Sequence, residues 1–367
     1  MIEPAPKATM GEAEIGRDRE GDMSEPRPDA IGAVATEIDG DWDGVGLPMP
    51  RNPALLDPTT PRVRVRTVTD RFPFPIPNGW FVVATSTDLD PGQVRALHYF
   101  GRDLALYRGE DGTPHLVDAY CAHLGAHLAI GGKVEGDCIR CPFHGWRYEG
   151  TTGQCDEIPY GGSERIPAKA RVRAYPTVEQ GGAIWAWHHL TGGEPFYELP
   201  HVPEMDDPTW TRPMLREFWI STSCQEMAEN NHDFAHFQYV HGTETIPDGE
   251  ERIEGTYKSV KNPGLERETF GLGLGVVRVP GMLTFVSSVT PIDDDNVHVR
   301  WFFSVPAEAG EKSAAFFAKE FTAGVTQDIP IWENKIYRPL PVLTKSESGI
   351  IAHRTWSKQF YSDDVQL

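Results

Sequence analysis

The sequence predicts an α+β protein built on two separate groups of β-strands. Between about residues 80 and 188, short strand-like runs are separated by turn signals, such as Glu110-Asp111-Gly112 between two apolar runs. Between about residues 251 and 306 a second group follows, in which LTFVSSVT, PIDDDN and VHVRWFFSV form a hairpin pattern. Helical patterns flank this second group and do not alternate with its strands, which favours an antiparallel sheet carrying helices over a parallel sheet.

Along the chain we expect a leader and two domains. Residues 1–60 are rich in Pro, Gly, Asp and Glu without sustained periodicity, which predicts a flexible acidic leader. Residues 61–191 form the predicted all-β domain, which begins with a strand at residues 62–70 and ends with the strand GAIWAWHH. A proline-rich acidic linker then opens the predicted C-terminal domain, residues 192–367.

Two helices are expected in the C-terminal domain. The first covers residues 225 to about 240. The second, KSAAFFAKEFTAGVTQ, continues into DIPIWENK, where Pro330 is expected to kink or restart it because proline lacks a backbone donor. The run GLGLG at residues 271–275 misses the spacing of a nucleotide-binding loop, and its small residues are expected to leave space above the sheet for a ligand.

Composition limits the class of protein. The 367 residues include 39% apolar residues and carry a formal net charge of −20, which fits a soluble globular protein and argues against nucleic acid as a partner. No apolar run approaches the roughly 18 residues of a membrane span, and the N-terminus lacks a signal peptide pattern. Five cysteines give no disulfide framework, so a reducing, cytoplasmic location is expected.

The strongest chemical signal is CAHLGAHLAIGGKVEGDCIRCPFHGW at residues 121–146. The pairs Cys121-x-His123 and Cys141-x-x-His144, separated by 17 residues, could clamp a metal centre between two loops. Two thiolates and two imidazoles suit a Rieske-type [2Fe–2S] cluster, in which the thiolates hold one iron and the imidazoles hold the other. A structural Cys₂His₂ zinc site is the alternative, although each half of a zinc site usually contains one ligand type.

Other cysteines and histidines in this region receive no ligand role. Cys138, Cys155 and Cys224 lie outside any ligand spacing and are predicted to be structural. His127 lies between the two pairs and is predicted to form hydrogen bonds or to lie at the surface.

A second candidate metal site lies in EMAENNHDFAHFQYVHGT, which contains Asn230-x-x-Asp233-x-x-His236-x₄-His241. Two histidines and a carboxylate on one side of an iron leave positions open for dioxygen. Because residues five apart diverge by roughly 140° around a helix, a straight helix would not direct both histidines to one ion. The helix is therefore expected to end or distort near Tyr239. The alternative is a pair of ordinary helix or surface histidines.

The third iron ligand must come from elsewhere in the chain. Asp328 in TQDIPIWENK is the predicted ligand, and the weaker choices are Glu333, Asp293, Asp294 and Asp295. Asp233 lies one helical turn before His236, so its carboxylate is predicted to accept a hydrogen bond from a ligand imidazole and fix its tautomer. A helix-capping or surface aspartate is the alternative.

Together the two motifs resemble the oxygenase components of Rieske non-haem iron oxygenases over about residues 72–361. Within that superfamily the chain is most similar to the 3-ketosteroid 9α-hydroxylase oxygenases and the Rieske cholesterol 7-desaturases. This finer resemblance rests on PNGWFVV, the cluster segment, DEIPYG, QDIPIWENKIYRP and RTWSKQFYS. Ala122 departs from the family, which often has proline at that position.

The resemblance implies an N-terminal Rieske domain, a C-terminal helix-grip catalytic domain and a head-to-tail homotrimer. By motif, the cluster ligands would be Cys121, His123, Cys141 and His144, and the iron ligands would be His236, His241 and Asp328. Asp233 would link an iron-ligand histidine to a cluster histidine of the neighbouring subunit.

The implied function is O₂-dependent hydroxylation or desaturation of a steroid or sterol, a hydrophobic small molecule. NAD(P)H would supply electrons through a separate flavin/iron–sulfur reductase, or through a ferredoxin with its reductase. The apolar strands at residues 272–289 and 297–305 would line the substrate pocket or form ordinary core.

Three other functions remain open at this point. The same chemistry could act on an aromatic acid or aryl amine; an Arg or Lys facing the iron would favour a carboxylate substrate, and an apolar pocket would favour the sterol. A Rieske electron carrier would need only the β domain, so the C-terminal domain and the pair His236/His241 count against it. A zinc-stabilised binding module would be a colourless protein without iron.

Overall fold

The computed structural model describes residues 71–161, 165–246 and 249–362. The predicted leader at residues 1–60 and the predicted strand at residues 62–70 lie outside these residues. Within them the chain forms β-sheets with a smaller set of helices, so the predicted α+β class is confirmed. None of the described helices is long and apolar enough to cross a membrane.

Three small antiparallel sheets form the N-terminal half of the described chain. The hairpin expected around Asp111 is confirmed, because the strands Arg102–Arg108 and Pro114–Asp118 pair on either side of that turn. One sheet contains β1 (Gly79–Thr85), β11 (Ala183–His188) and β10 (Thr177–Gln180). A second contains β2 (Val94–Tyr99), β3 (Arg102–Arg108), β4 (Pro114–Asp118) and β9 (Ala174–Tyr175). The third contains β5 (Lys133–Glu135), β6 (Cys138–Arg140), β7 (Arg147–Glu149) and β8 (Cys155–Glu157).

One seven-stranded antiparallel sheet dominates the C-terminal half, in the order β12-β18-β17-β16-β15-β14-β13. Its strands are β12 (Met214–Ile220), β13 (Glu250–Glu254), β14 (Tyr257–Asn262), β15 (Leu265–Phe270), β16 (Leu274–Val279), β17 (Leu283–Pro291) and β18 (Val297–Ser304). The predicted hairpin is confirmed, since Pro291 pairs with Val297 across the turn PIDDDN.

Four α-helices accompany this sheet: α1 (Cys224–Glu229), α2 (Ala235–Tyr239), α3 (Gly310–Asn334) and α4 (Ser348–Ser357). The single helix predicted from residue 225 to about 240 is wrong, because a 3₁₀ turn (Asn230–His232) and the non-helical backbone of Asp233 separate α1 from α2. Asn and Asp side chains compete for backbone hydrogen bonds, which weakens a helix at such a sequence. The predicted end near Tyr239 is confirmed.

Helix α3 runs through Pro330 without interruption, so the predicted restart at that residue is wrong. Proline removes one donor from the helical ladder. Buried residues on either side, Val325 and Trp332, pack against the core and hold the helix together across that gap. Asn334 also donates to the carbonyl of Pro330, at 2.8 Å, from the last turn.

The two halves pack closely where β1 crosses β17. The amide of Val82 donates to Ser288 Oγ at 3.1 Å, and its carbonyl accepts from Thr290 Oγ1 at 2.7 Å. At Gly273 a Cβ atom would lie 2.6 Å from the carbonyl oxygen of Trp80, closer than real contacts allow. Part of the GLGLG run is therefore glycine because another strand passes over it.

Candidate metal centres

The two cluster loops have the same backbone framework. In the first, the amide of Cys121 donates to Ala126 O at 2.9 Å, and that of Gly125 donates to Cys121 O at 3.0 Å. In the second, Cys141 and Gly145 make the equivalent bonds, at 2.8 Å to Trp146 O and 3.1 Å to Cys141 O. Both glycines have φ of 72°, a left-handed conformation that favours glycine. The matched loops present the two Cys/His pairs to each other.

The cluster side chains provide buried sulfur and partly exposed imidazole. Cys121 and Cys141 are 4% and 3% exposed, so both thiols lie at the inner end of the site. The rings of His123 and His144 lie 4.8 Å apart at 72°, and His123 stacks on Trp146 at 4.6 Å. Nδ1 of His123 is buried without a hydrogen-bond partner among the described residues. A buried nitrogen without a partner is uncommon, and a metal ion would satisfy it.

Hydrogen bonds also order the cysteine side of the candidate cluster site. Tyr148 Oη lies 3.0 Å from Cys121 Sγ and accepts from the amide of Ala122 at 3.2 Å. Burial, together with a hydrogen bond that the Cys141 thiol donates to Cys121, raises the pKa of Cys141. Two buried cysteines on one loop each, with a histidine beside each of them, form a donor set that fits a cluster bound by two thiolates and two imidazoles.

The residues predicted to have no ligand role lie in other surroundings. Cys155 and Cys224 are buried free thiols, and burial raises the pKa of both. Burial also raises the pKa of Cys138, to about 11. His127 Nδ1 accepts a hydrogen bond from the amide of Ala129 at 3.2 Å, the structural role expected of it.

The second site forms where α2 meets α3. Nitrogen and oxygen donors of His236, His241 and Asp328 all lie within 4.8 Å of one another. The two imidazole rings are 5.1 Å apart, and His241 Nε2 lies 3.4 Å from Asp328 Oδ2. The end of α2 at Tyr239 reverses the chain and brings His241 beside His236, as the spacing argument required. Asp328 approaches from the C-terminal third of α3.

Carbonyl groups fix both histidines in one tautomer. His236 Nδ1 bonds to the main-chain carbonyl of Asp233, and His241 Nδ1 lies 2.9 Å from Gln327 Oε1. Because a carbonyl oxygen only accepts, each Nδ1 must carry the proton. Each Nε2 then carries the lone pair that a metal would bind. For His236 this nitrogen accepts from Asn230 Nδ2 at 3.1 Å. Two neutral imidazoles and a carboxylate fit a non-haem iron.

Burial adjusts the protonation of these groups. It lowers the pKa of His236, which favours the neutral imidazole that binds metal. It raises the pKa of Asp328 to about 6, against the opposing effect of His241. Asp328 is 6% exposed, and a buried carboxylate of this kind is stabilised by a cation placed against it.

Asp233 differs from its prediction in one respect. Its carboxylate was expected to bond a ligand imidazole, but the main-chain carbonyl of Asp233 occupies that position on His236. The carboxylate oxygen instead accepts from the amide of His236 at 3.3 Å, a capping contact at the start of α2. The cause is the non-helical backbone of Asp233 (φ −93°, ψ 87°), which turns its carbonyl toward the ring.

A cavity of about 410 Å³ opens on the second site, and the lining includes His236, His241 and Asp328. This volume is within the roughly 300–1,000 Å³ of ligand sites. Its wall is largely apolar, and it comes from β16, β17, β18 and α3, with Leu272, Leu274, Val277, Phe285, Val289, Trp301, Phe321, Val325 and Trp332. Among the described lining residues, Arg267 is the sole lysine or arginine.

The weaker third-ligand choices lie elsewhere. Asp293 accepts from Asn296 Nδ2 at 2.8 Å and from the amide of Asp295 at 2.9 Å, so these aspartates belong to the turn after β17. Glu333 is not part of the three-residue group that the described chain forms. Sequence reasoning assigned no role to Asn230, Gln327 or Arg267. Only Asn230 had a signal, its place in the histidine motif.

Comparison with known proteins identifies both regions. A model of the Rieske [2Fe–2S] domain matches residues 79–176, and a model of the 3-ketosteroid 9alpha-hydroxylase C-terminal domain matches residues 186–361. Cholesterol 7-desaturase nvd 1 of Ciona intestinalis is 33% identical, over 82% of this chain and 72% of that protein. A probable 3-ketosteroid-9-alpha-monooxygenase oxygenase component of Rhodococcus rhodochrous is 30% identical, over 78% and 80%.

Solved structures share the fold. NdmA of Pseudomonas putida CBB5 superposes with a TM-score of 0.64 at 21% identity, over 76% of this chain and 88% of that one. Dicamba monooxygenase bound to dicamba gives 0.60 at 19% identity, over 77% and 96%. The expected order of a Rieske domain followed by a catalytic domain is confirmed.

Proposed function

Because the chain belongs to the Rieske oxygenases that include cholesterol 7-desaturases and 3-ketosteroid 9α-hydroxylase oxygenase components, we propose that it is a terminal oxygenase acting on a steroid or sterol. The observation that carries this proposal is the apolar cavity that ends at His236, His241 and Asp328. Membership of this family excludes the zinc-stabilised module and the stand-alone electron carrier.

Two separate sets of side chains would each bind one metal centre. Cys121, His123, Cys141 and His144, within residues 61–191, would hold the [2Fe–2S] cluster. His236, His241 and Asp328, within residues 192–367, would hold the mononuclear iron. When bound, the cluster supplies single electrons and the iron supplies the site where O₂ is reduced for attack on a C–H bond.

The cavity wall would orient the substrate and exclude water. Flat apolar side chains on one sheet and on α3 face each other across it, including Trp301 on β18 and Phe321 and Trp332 on α3. Such walls suit a rigid, flat, apolar skeleton, because burial of apolar area stabilises it by about 25 cal/mol per Å² without directional bonds. Whether hydroxylation or desaturation results depends on how those walls hold the substrate against the iron site.

Electrons would enter at the exposed surface around the cluster loops. Leu124, Phe143 and Tyr160 are 65%, 62% and 60% exposed there, more than isolated surface apolar residues require. This surface suits contact with a flavin/iron–sulfur reductase, or a ferredoxin with its reductase, that draws on NAD(P)H. In a head-to-tail homotrimer the next subunit would lie beside the cluster loops, and Asp233, whose main-chain carbonyl bonds His236 Nδ1, would face a cluster histidine with its carboxylate.

A second candidate substrate is an aromatic acid, and one observation favours it. Arg267 lines the cavity and could bind a carboxylate. The extent of the apolar wall favours the steroid, since a small aromatic acid would leave much of it uncovered.

The proposal is tested first by metal content and then by turnover. Wild type purified without oxygen should contain about three irons and two acid-labile sulfides per chain, and His236→Ala should keep the cluster absorption with about two irons. With a surrogate reductase, a steroid panel should then yield hydroxylated or desaturated products in wild type only. Turnover of aromatic acids without steroid turnover would replace the substrate class. Wild type with two irons would remove the mononuclear site.

A further inference from the structure

Arg267 places a buried positive charge on the cavity face of the large sheet. It is 7% exposed and lies in the middle of β15. Its cross-strand neighbours are Val260 on β14 and Val277 on β16, and Phe285 on β17 continues the same row. Val277 and Phe285 line the cavity, so this row of side chains faces it. Arg267 therefore belongs to the cavity wall.

The guanidinium of Arg267 makes fewer hydrogen bonds than a buried cation usually does. Nη2 donates to Asn262 Oδ1 at 2.5 Å, while Nε is buried without a hydrogen-bond partner among the described residues. The guanidinium carbon lies 5.2 Å from the ring centre of Phe237, between the arginine and the iron-site histidines. Glu251, the acid whose charge acts on Arg267, is engaged by His232 Nδ1 at 2.8 Å.

Without a ligand, this arrangement of Arg267 lowers the stability of the folded protein. A buried donor without an acceptor loses its hydration and gains nothing in return, and a charged donor loses more than a neutral one. Burial lowers the pKa of Arg267 only to about 10, so the side chain stays charged at neutral pH. A bound group that accepts hydrogen bonds in the cavity would remove this deficit.

Resting on the proposed steroid function, we propose that Arg267 binds an acceptor-only oxygen of the substrate, a ketone or carboxylate, and selects it over a hydroxyl. Guanidinium is a donor without acceptor capacity, so a ketone or carboxylate oxygen matches it completely. A hydroxyl oxygen can accept from Arg267, but its own proton then needs a second acceptor, and the neighbours of Arg267 in its cross-strand row, Val260, Val277 and Phe285, offer none. The apolar skeleton would extend from Arg267 over Phe237 toward His236 and His241.

The test is equilibrium dialysis of the iron-loaded protein, without reductase, against four steroids. These are 5α-androstan-3-one, its 3β-alcohol, the parent hydrocarbon 5α-androstane, and 5β-cholanic acid, whose carboxylate is on the side chain. Wild type should bind the ketone or the acid about 10- to 100-fold more tightly than the alcohol and the hydrocarbon, the range of one charge-assisted hydrogen bond. Tighter binding of the ketone would show that Arg267 binds a ring ketone, and tighter binding of the acid would show that it binds a side-chain carboxylate.

Arg267→Met should lose that preference and retain the affinity for 5α-androstane, which also shows that its cavity is intact. Arg267→Lys should recover part of the preference, because it restores a charged donor. Arg252→Met is the control, since its side chain on β13 is 65% exposed and pairs with Glu254. Iron content should match wild type in each variant, and the unfolding midpoint of Arg267→Met should be no lower than that of wild type, because the variant removes an unsatisfied buried cation.

The outcomes separate the two proposals. Steroid binding with the same preference in wild type and Arg267→Met would overturn the role of Arg267 and leave the steroid function standing. An equal affinity of wild type for ketone, acid and alcohol would do the same. Failure of all four steroids to bind wild type, with Arg267-dependent binding of benzoate, would overturn the steroid function and keep Arg267 as a carboxylate-binding residue.

Discussion

The two histidines of the candidate mononuclear site are oriented by acceptors of different kinds. His236 is held by a main-chain carbonyl in its own segment, whereas His241 depends on the side chain of Gln327, from another element. A main-chain acceptor is present whatever the residue. A side-chain acceptor is lost by one substitution.

Gln327→Leu is therefore expected to weaken iron binding without affecting the cluster. Loss of an outer acceptor typically lowers metal affinity by about 10- to 100-fold, and the exposed position of Gln327 favours the lower end. The measurement is iron retained during dialysis against a chelator series, with cluster absorption recorded in parallel. Lys319→Met, at an exposed position on the same helix, is the control. Equal retention in Gln327→Leu and wild type would show that His241 needs no such partner.

A second residue-scale consequence concerns pH. Lys258 is 1% exposed; its Nζ lies 2.9 Å from His353 Nδ1 and 4.6 Å from the centre of the Trp356 ring. Burial lowers its pKa from 10.5 to about 7, opposed by the charges of Glu251 and Glu229. In the unfolded chain the lysine keeps its proton up to about pH 10. Between pH 7 and pH 10 the unfolded state therefore binds more protons, and Lys258 makes stability rise with pH.

Lys258→Met should remove this rise, which has a limiting slope of about 1.4 kcal/mol per pH unit. It should also raise the free energy of unfolding at pH 7, where the wild type still buries a partly charged amine. The measurement is urea unfolding from pH 6.5 to 9.5, as a difference between variant and wild type. Lys261→Met, an exposed residue of the same strand, should change neither value. A parallel pH dependence for Lys258→Met and wild type would contradict the assignment.

At the scale of elements, a buried polar network joins β2 of the first half to β18 of the second. Tyr99 Oη accepts from Arg300 Nη2 at 2.8 Å and lies 2.8 Å from His298 Nδ1. Arg300 also donates to Val82 O at 2.9 Å, and Glu217 on β12 lies 3.1 Å from its Nε. Because these groups are buried together, each depends on the others for hydrogen bonds.

Tyr99→Phe should destabilise the protein by about 1–3 kcal/mol, because it leaves a buried guanidinium group without one acceptor. The effect is measured as the difference in free energy of unfolding. Tyr239→Phe, at a tyrosine that is 81% exposed, is the matched control and should be neutral. A loss no larger than that of the control would mean that water replaces the hydroxyl and that the halves are not coupled through Tyr99.

The sequence predicted those parts of the site that are set by local spacing. The cluster pairs lie within single tight loops, and the end of α2 followed from the five-residue separation of His236 and His241. The break at Asn230 was missed because it depends on competition between local and helical hydrogen bonds, which tertiary packing decides. Continuity through Pro330 depends on packing in the same way.

Arg267 shows most clearly which part of the site could not be predicted from the sequence. In LERETF, Leu265, Arg267 and Thr269 share a face by strand alternation, and two of the three are polar. That pattern reads equally well as a solvent-exposed face. Only the pairing of β15 with β16 and β17 shows that this face lines the cavity.

At the scale of the whole molecule, the remaining question is whether each iron would receive electrons from the cluster of its own chain or from that of a neighbouring subunit. The carboxylate of Asp233 bonds the main-chain amide of His236 and not its imidazole ring. This carboxylate therefore gives no hydrogen-bonded link between the two metal sites of one chain. In the proposed head-to-tail trimer, the carboxylate would face the neighbouring subunit, and each iron would take electrons from that subunit's cluster. Two inactive variants should then complement each other.

Cys141→Ser, which lacks the cluster, and His236→Ala, which lacks the iron, should each be inactive alone. When the two chains are co-expressed with different tags and purified through both, their mixed assemblies should regain turnover. With random mixing in a closed ring, about a quarter of subunit contacts join an intact cluster to an intact iron site, so activity should approach that fraction before tandem selection. Light scattering should give the mass of three chains. Mixed trimers that keep both metals yet show no turnover would place electron transfer within one chain, because each chain then lacks one half of the path.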